Sequence, residues 1–174
     1  MEQVQYNEIL IHPVYNLYFI SSEHPEGQYK YLGDMLGRDC MVVKYVDGWL
    51  RMYSNEGKKN EDWYGWNRDV LAPCDSVIDT IFENNTINTP GSYLDGRASM
   101  IIFKRYDGIK ICYCHVTDIN VKVGDEVKAG DIVAKVGNNG TSRMPHIHIG
   151  AWYDNTPLQI RFDLKAMGRL MRSH

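Results

Sequence analysis

Hydrophobic and polar residues alternate with a period of two along much of the chain, in short runs rich in β-branched and aromatic side chains. Successive side chains of a β-strand point to opposite faces, so this period predicts strands that pack on one face. The predicted strands span residues 14–20, 40–46, 76–83, 99–105, 109–115, 132–136 and 146–153. We therefore predict an all-β or β-rich domain.

Dipeptides that accept a positive φ punctuate these strands. They are Asp47-Gly48, Asp107-Gly108 and Asn139-Gly140, and each predicts a tight hairpin turn. The polar stretches 54–60 and 84–96 show no period. They predict loops, which often border a functional site when they rest on a rigid sheet.

A helical period is confined to residues 162–172, near the C-terminus. Leu164, Met167, Leu170 and Met171 recur there at spacings of three to four, behind Asp163. This is the spacing of one helix face. We expect the helix to pack on the sheet as a lid.

The segments 70–78 and 123–133 look like two copies of one motif, since each leads into a predicted β-hairpin. Such paired hairpins predict a duplicated β-hairpin sandwich with a C-terminal helix. A length of 174 residues suits a single domain. We divide it into an N-terminal extension at 1–36, a core at 37–160 and a helix region at 161–174.

Composition narrows the classes of partner and compartment. A net charge of -3 without a basic run argues against nucleic acid, and no window approaches the roughly 18 apolar residues of a membrane-spanning helix. The N-terminus lacks a positive region followed by an apolar stretch, so we expect a cytoplasmic protein, with leaderless release as an alternative. The four cysteines form no CxxC pair, which predicts reduced thiols.

His146 and His148 are the first candidates for chemistry. One residue separates them, so both imidazoles project from the same face of the predicted strand and can reach one metal ion or one reacting group. Ile147 and Ile149 alternate with them and mark the opposite face as packed. The histidine face then points to a cleft or to solvent, and the alternative to a metal site is a solvent-facing pair on an edge strand.

Four short elements follow one another between residues 60 and 164. In chain order they are Val70-Leu71-Ala72-Pro73, then Cys112-Tyr113-Cys114-His115-Val116, then Val123-Gly124-Asp125-Glu126-Val127-Lys128-Ala129-Gly130, and last Gly137-Asn138-Asn139-Gly140-Thr141-Ser142 ahead of His146-Ile147-His148. Their order and spacing together resemble the lysostaphin-type zinc endopeptidases, which cut peptidoglycan peptides. The chain is similar to this family over well more than half of its length.

The resemblance implies a fold of duplicated β-hairpins and one zinc ion, held by a histidine, an aspartate and the second histidine of the HxH motif. It implies that His148 is a zinc ligand and that His115 and His146 flank the metal as the catalytic pair. The implied substrates are peptide bonds of peptidoglycan stem or bridge peptides.

The other two zinc ligands, a histidine and an aspartate, are harder to assign, because the compact His-x-x-x-Asp motif of most members is absent here. The stretches 37–43 and 60–65 resemble a branch of the family with a long insertion after the zinc aspartate. This register implies Asp39 as the carboxylate ligand and His24 as the nearest upstream imidazole. The competing register takes Asp69, but it sets Gly65 where a histidine is required, so we favour Asp39.

Three classes of function follow from these patterns. In the leading one, zinc lowers the pKa of a bound water from ~15.7 toward ~7, and His115 and His146 handle protons. In the second, the domain is a catalytically degenerate module that binds or regulates, as the missing compact motif allows. A carrier or phosphotransfer hairpin ranks last, because the Ala72-Pro73-Cys74-Asp75 turn lacks the lysine that a lipoyl carrier needs.

Overall fold

The computed structural model describes residues 7–92 and 94–172. Within these residues the chain forms fourteen strands, one 3-10 helix at Asn60–Asp62 and one α-helix, α1, at Leu164–Arg172. The strands are β1 (Glu8–Ile11), β2 (Phe19–Glu23), β3 (Arg38–Val42), β4 (Lys44–Val46), β5 (Trp49–Arg51), β6 (Asp69–Leu71), β7 (Ser76–Phe82), β8 (Met100–Lys104), β9 (Lys110–Cys114), β10 (Val116–Thr117), β11 (Glu126–Val127), β12 (Ile132–Val136), β13 (Ile147–Tyr153) and β14 (Thr156–Phe162). The predicted β-rich class with a C-terminal helix is confirmed.

A nine-stranded sheet carries most of the fold, with β13 near its centre. Its main path runs β1-β14-β13-β9-β8-β7-β11, and β3 joins β13 with β2 on its other side. One edge of β13 pairs with β9. The other edge pairs with β3 from Ile147 to Ile149 and with β14 from Ala151 onward, so Gly150 lies where β13 changes partner.

The two copies of the repeated motif pair with each other. Strand β6 of the first copy pairs with β12 of the second, in a three-stranded sheet completed by β10. Strand β7 pairs in turn with β11 inside the large sheet. One buried cluster joins both sheets, with Phe103 and Tyr113 from the large one and Val133 and Val136 from the small one. This shared core makes the chain a sandwich.

The strands predicted at 76–83, 99–105, 109–115, 132–136 and 146–153 correspond to β7, β8, β9, β12 and β13 to within a few residues. The predicted strand 40–46 is two strands, β3 and β4, interrupted at Val43. The backbone N–H of Val43 makes a further bond of the β2-β3 pairing, to the carbonyl of Tyr18, and the chain then leaves the large sheet. The insertion that follows therefore begins with its own small hairpin, β4-β5.

The predicted strand at 14–20 is wrong, because regular pairing starts only at Phe19 in β2. Val14 and Tyr15 are fully buried but lie outside the strands. The carbonyl of Val14 accepts the N–H of Leu71, and the Tyr15 hydroxyl bonds to the backbone of Cys40. Their apolar character reflects packing of an irregular segment, which a period of two cannot distinguish from a strand.

The N-terminal and C-terminal segments supply two strands that the pattern did not predict. β1 and β14 pair in parallel at the edge of the large sheet. Leu158 and Ile160 of β14 face the core, and Phe162 ends this strand, so α1 begins two residues later than predicted. The carboxylate of Asp163 caps α1 by accepting the N–H of Ala166 at 3.0 Å.

The predicted helix region 161–174 includes Ser173 and His174, which lie outside the described residues. Among residues 7–92 and 94–172, no helix has the length and apolar character needed to span a bilayer. The nine residues of α1 carry Arg169 and Arg172 in the last turn.

Two of the three predicted turns join hairpins. Asp47-Gly48 connects β4 to β5, and Asp107-Gly108 connects β8 to β9. The hairpin predicted at Asn139-Gly140 is wrong, because β12 and β13 belong to different sheets. The buried Asn139 side chain instead accepts the N–H of Ser99 at 2.7 Å and donates to the carbonyl of Val116 at 2.9 Å. It fastens the loop that leads into β13.

Candidate metal centre

The pairing of β3 with β13 sets Asp39 directly opposite His148. Residues opposed in this way share a face of the sheet, and Asp39 Oδ1 lies 2.9 Å from His148 Nδ1. His24 follows the last residue of β2, which pairs with β3. Its Nε2 lies 3.3 Å from the second carboxylate oxygen, Asp39 Oδ2. One carboxylate thus stands between two imidazoles.

These three residues form a candidate metal site. One ligand atom from each of His24, Asp39 and His148 lies within 4.8 Å of the others. Zinc bound tetrahedrally at about 2.0–2.2 Å requires ligand atoms roughly 3.3–3.6 Å apart. The distance from His24 Nε2 to Asp39 Oδ2 is 3.3 Å, and that from His148 Nδ1 to Asp39 Oδ1 is 2.9 Å. Two imidazole nitrogens and one carboxylate oxygen, with a fourth position left open, form the donor set of a catalytic zinc. The residues therefore fit zinc, and their role as its ligands stays a prediction.

The sequence-predicted catalytic pair lies beside this cluster. The ring centroids of His115 and His146 are 4.7 Å apart, and those of His115 and His148 are 6.4 Å apart. His146 Nε2 is 3.5 Å from Asp39 Oδ1. His115, His146 and His148 are all buried. The alternative of a solvent-facing pair on an edge strand is therefore wrong, since β13 is also paired along both of its edges.

His115 reaches the site through its backbone conformation. Cys114 pairs with His148 across β9 and β13 and so faces the same side, and a regular strand would direct the next side chain to the opposite face. At His115 the chain leaves β9 with a left-handed φ of 66°. This conformation is uncommon for a residue with a Cβ, and it sets the imidazole beside His146 instead.

Every imidazole of the site has one nitrogen against a backbone carbonyl. The pairs are His24 Nδ1 with Asp34 O at 3.4 Å, His115 Nδ1 with Asn139 O at 2.8 Å, His146 Nδ1 with Met144 O at 2.8 Å, and His148 Nε2 with Gly33 O at 2.9 Å. A carbonyl only accepts, so the facing nitrogen carries a hydrogen. In the neutral ring, the other nitrogen then keeps its lone pair for a metal ion or a proton.

Burial and hydrogen bonding shift the pKa values of Asp39 and His148 in opposite directions. Burial raises the pKa of the Asp39 carboxyl, but hydrogen bonds from His146 and His148 outweigh it and hold that pKa well below its usual range. Burial lowers the pKa of His148, whereas hydrogen bonds to Asp34 and Asp39 raise it, to about 10 in total. Burial lowers the pKa of His115 to about 3, aided by the neighbouring His146.

The structure does not bring the alternative carboxylate to the site. Asp69 lies in the three-stranded sheet, where it forms an ion pair with Lys135.

Two other residues at the site were not predicted from the sequence. Asp34 contacts His148 Nε2 at 3.2 Å, and Tyr15 bonds to the strands that carry Asp39 and His148. Asp34 lies in no periodic element, so only its closeness along the chain to Gly37-Arg38-Asp39 could have drawn attention to it. Tyr15 lies in the segment 14–20 that the pattern predicted as a strand, and nothing in that pattern indicated its contact with the site.

A sandwich of duplicated hairpins with clustered histidines defines a protein of the lysostaphin-type fold. The family model described as peptidase family M23 matches residues 64–160, which is more than half of the chain. The chain belongs to peptidase family M23. The matched residues include His115, His146 and His148, whereas His24 and Asp39 precede them.

Two curated relatives match a short part of the chain. Glycyl-glycine endopeptidase ALE-1 of Staphylococcus capitis is 53% identical over 36 residues, which are 21% of this chain and 10% of that protein. Lysostaphin of Staphylococcus simulans is also 53% identical over 36 residues, 21% of this chain and 7% of its own length. These matches span a tenth or less of the relatives.

Solved structures are similar in fold over most of the chain. A mutant catalytic domain of the prophage-encoded M23 protein EnpA from Enterococcus faecalis aligns with a TM-score of 0.55 and 19% identity, covering 84% of this chain and 92% of that one. The catalytic domain of lysostaphin from Staphylococcus simulans aligns with a TM-score of 0.50 and 21% identity, covering 80% and 86%. At these identities the likeness concerns the fold.

Proposed function

We propose that this protein is a zinc endopeptidase that hydrolyses peptide bonds in peptidoglycan stem or bridge peptides. The observation that carries the proposal is the cluster of His24, Asp39 and His148 with the imidazoles of His115 and His146 beside it. Membership of peptidase family M23 supports peptide hydrolysis. The similarity to a glycyl-glycine endopeptidase and to lysostaphin supports a cell-wall peptide as the substrate.

His24 Nε2, Asp39 and His148 Nδ1 would hold the metal. Zinc bound there would supply a Lewis acid, which lowers the pKa of a coordinated water and polarises the scissile carbonyl. The anchoring carbonyls of Asp34 and Gly33 keep the remaining nitrogen of each ligand histidine protonated. In the neutral ring, the other nitrogen of each histidine then presents its lone pair on the side of Asp39, which is the form that binds a cation. Because the pKa of His148 is raised to about 10, metal binding must displace a proton from this ring.

His115 and His146 would move the protons of amide hydrolysis. Each donates its Nδ1 hydrogen to a backbone carbonyl, of Asn139 and Met144 respectively. In the neutral form of each ring, Nε2 then keeps the lone pair that accepts a proton and returns it. The Ser142 hydroxyl, 3.3 Å from His146 Nδ1, also bonds to the Met144 carbonyl and stabilises this arrangement.

The test combines metal content with hydrolysis of purified peptidoglycan, followed by the release of new amino groups. We expect about one zinc per chain and activity that a chelator removes and zinc restores. His148→Ala should abolish zinc retention, whereas His146→Ala should lose activity and keep the metal. Asp69→Asn is the matched control, because its carboxylate lies in the other sheet, and it should keep both.

Wild-type protein without zinc after growth in zinc-replete medium would overturn the proposal, and so would equal zinc content in His148→Ala and wild type.

A catalytically degenerate binding module is the second candidate function. It is favoured by the position of His24 and Asp39 outside the residues that the family model matches. Stoichiometric zinc without hydrolysis of any peptidoglycan type would select this second function.

A further inference from the structure

Residues 31–37 form a loop, the 31–37 loop, that contacts the imidazoles of both His24 and His148 on the side away from Asp39. The carbonyl oxygen of Gly33 lies 2.9 Å from His148 Nε2, and Asp34 Oδ1 lies 3.2 Å from the same nitrogen. The backbone carbonyl of Asp34 lies 3.4 Å from His24 Nδ1. Two consecutive residues therefore contact both rings, on the side away from Asp39.

These contacts determine which nitrogen of His148 can bind a metal. Nε2 faces two acceptors, a carbonyl and a carboxylate, so it must carry the hydrogen. Nδ1, at 2.9 Å from Asp39 Oδ1, is then the nitrogen with the lone pair once the ring is neutral. A carboxylate that accepts the distal hydrogen of a ligand histidine fixes the ring and increases its basicity, which strengthens metal binding.

Two glycines seat the 31–37 loop against the site. A Cβ at Gly150 would lie 1.8 Å from the Gly33 carbonyl oxygen, and a Cβ at Gly37 would lie 2.9 Å from His148 Cε1. Gly150 is the residue where β13 changes its partner from β3 to β14. The Gly33 carbonyl therefore reaches His148 through space that any side chain at position 150 would fill.

The loop is internally hydrogen-bonded and also bonded to His24, the residue that follows β2. The N–H groups of Asp34 and Met35 both donate to the carbonyl of Tyr31 at 2.9 Å, and the N–H of Gly37 donates to the carbonyl of Asp34. The carbonyl of Gly37 accepts the N–H of His24 at 2.9 Å. Asp34 is thus held in a turn that begins three residues before it and ends just before Asp39.

We propose that Asp34 is a positioning residue of the metal centre. Its carboxylate acts with the Gly33 carbonyl to hold His148 in the orientation and tautomer that bind zinc. The inference rests on the proposed function, since it concerns the same site. The Asp34 side chain is 38% exposed, so water weakens its interaction with His148, and the Gly33 carbonyl remains as an anchor when the carboxylate is removed.

The test measures zinc affinity by competition with a chromophoric chelator, for the full chain and for Asp34→Asn and Asp34→Ala. Loss of a carboxylate behind a ligand histidine typically weakens metal binding by about 10- to 100-fold, and we expect this range. The amide of Asp34→Asn still accepts the hydrogen bond, so its loss should be the smaller of the two. Asp154→Asn is the matched control, because it removes an exposed carboxylate in the β13-β14 turn.

Nitrogen NMR of the histidine side chains in the zinc-loaded protein provides a readout independent of activity. We expect His148 to carry its hydrogen on Nε2 in wild type and in Asp34→Asn. Thermal unfolding of the metal-free variants shows whether they fold. Zinc affinity of folded Asp34→Asn and Asp34→Ala within twofold of wild type would overturn this inference alone. Failure of wild-type protein to bind zinc would overturn the proposed function together with it.

Discussion

The Tyr15 hydroxyl donates a hydrogen bond of 2.7 Å to the carbonyl oxygen of Cys40. The same hydroxyl oxygen accepts the N–H of Ile147 at 3.1 Å, and Ile147 lies opposite Cys40 in the pairing of β3 with β13. A fully buried phenol from the N-terminal segment thus joins the two strands next to the point where Asp39 faces His148.

Replacing Tyr15 with Phe should destabilise the protein and loosen the candidate metal site. The change leaves the Cys40 carbonyl and the Ile147 N–H without this buried partner, and each unsatisfied group costs about 1–3 kcal/mol. Chemical denaturation should show a loss of that order in the free energy of unfolding, and zinc affinity should fall. Tyr18→Phe, at an exposed tyrosine, is the control, and an equal effect of both changes would contradict the expectation.

Replacing Gly150 with Ala should displace the 31–37 loop. The added Cβ would lie 1.8 Å from the Gly33 carbonyl oxygen, so the loop or β13 must shift, at a cost of about 1–3 kcal/mol. Thermal unfolding and zinc titration should both show the loss. Gly168→Ala in α1 is the control, since a Cβ there meets nothing within 4 Å. It should stabilise the protein by about 0.5–1 kcal/mol. Unchanged stability of Gly150→Ala would refute the close approach.

Replacing Asp39 with Asn should remove zinc binding, because the ligand carboxylate and its charge are lost together. Asp69→Asn should leave zinc binding unchanged, since Asp69 pairs with Lys135 in the other sheet. Metal analysis after dialysis against a weak chelator distinguishes the two variants. Zinc retained by Asp39→Asn but lost by Asp69→Asn would support the competing register and reject the one chosen here.

The stability of the metal-free protein should depend on pH through His115. Its pKa is lowered by burial from 6.5 to about 3, so the folded state binds fewer protons than the unfolded state between these values. This contribution to stability is present above about 6.5 and is lost as the pH falls toward about 3.

Chemical denaturation at several pH values tests this dependence. Wild type should lose more stability on acidification than His115→Gln, which lacks the titrating ring. His148 acts in the opposite sense, because its pKa is raised to about 10 and its contribution is lost as the pH rises through that value. Equal slopes for wild type and His115→Gln on the acid side would contradict a neutral buried His115.

Local patterns in the sequence predicted several elements correctly. The period of two placed β7, β8, β9, β12 and β13, because in a strand packed on one face the hydrophobic alternation is a property of consecutive residues. Helix α1 was predicted from its own spacing and from Asp163, which caps it. The prediction of a strand at 14–20 failed because Val14 and Tyr15 are buried without regular pairing. Burial alone does not distinguish a strand from an irregular buried segment.

The sequence by itself determined that His146 and His148 are separated by one residue, where β13 begins, and the family resemblance added His115. The resemblance also implied Asp39, from the register of the surrounding stretch, and His24, as the nearest histidine upstream of it. Only the tertiary structure decided between Asp39 and Asp69, because Asp39 meets His148 across 109 residues of chain through the pairing of β3 with β13. The left-handed turn at His115 and the approach of Gly33 to Gly150 were likewise decided there. Each depends on how distant segments pack, which the order of residues along one strand does not specify.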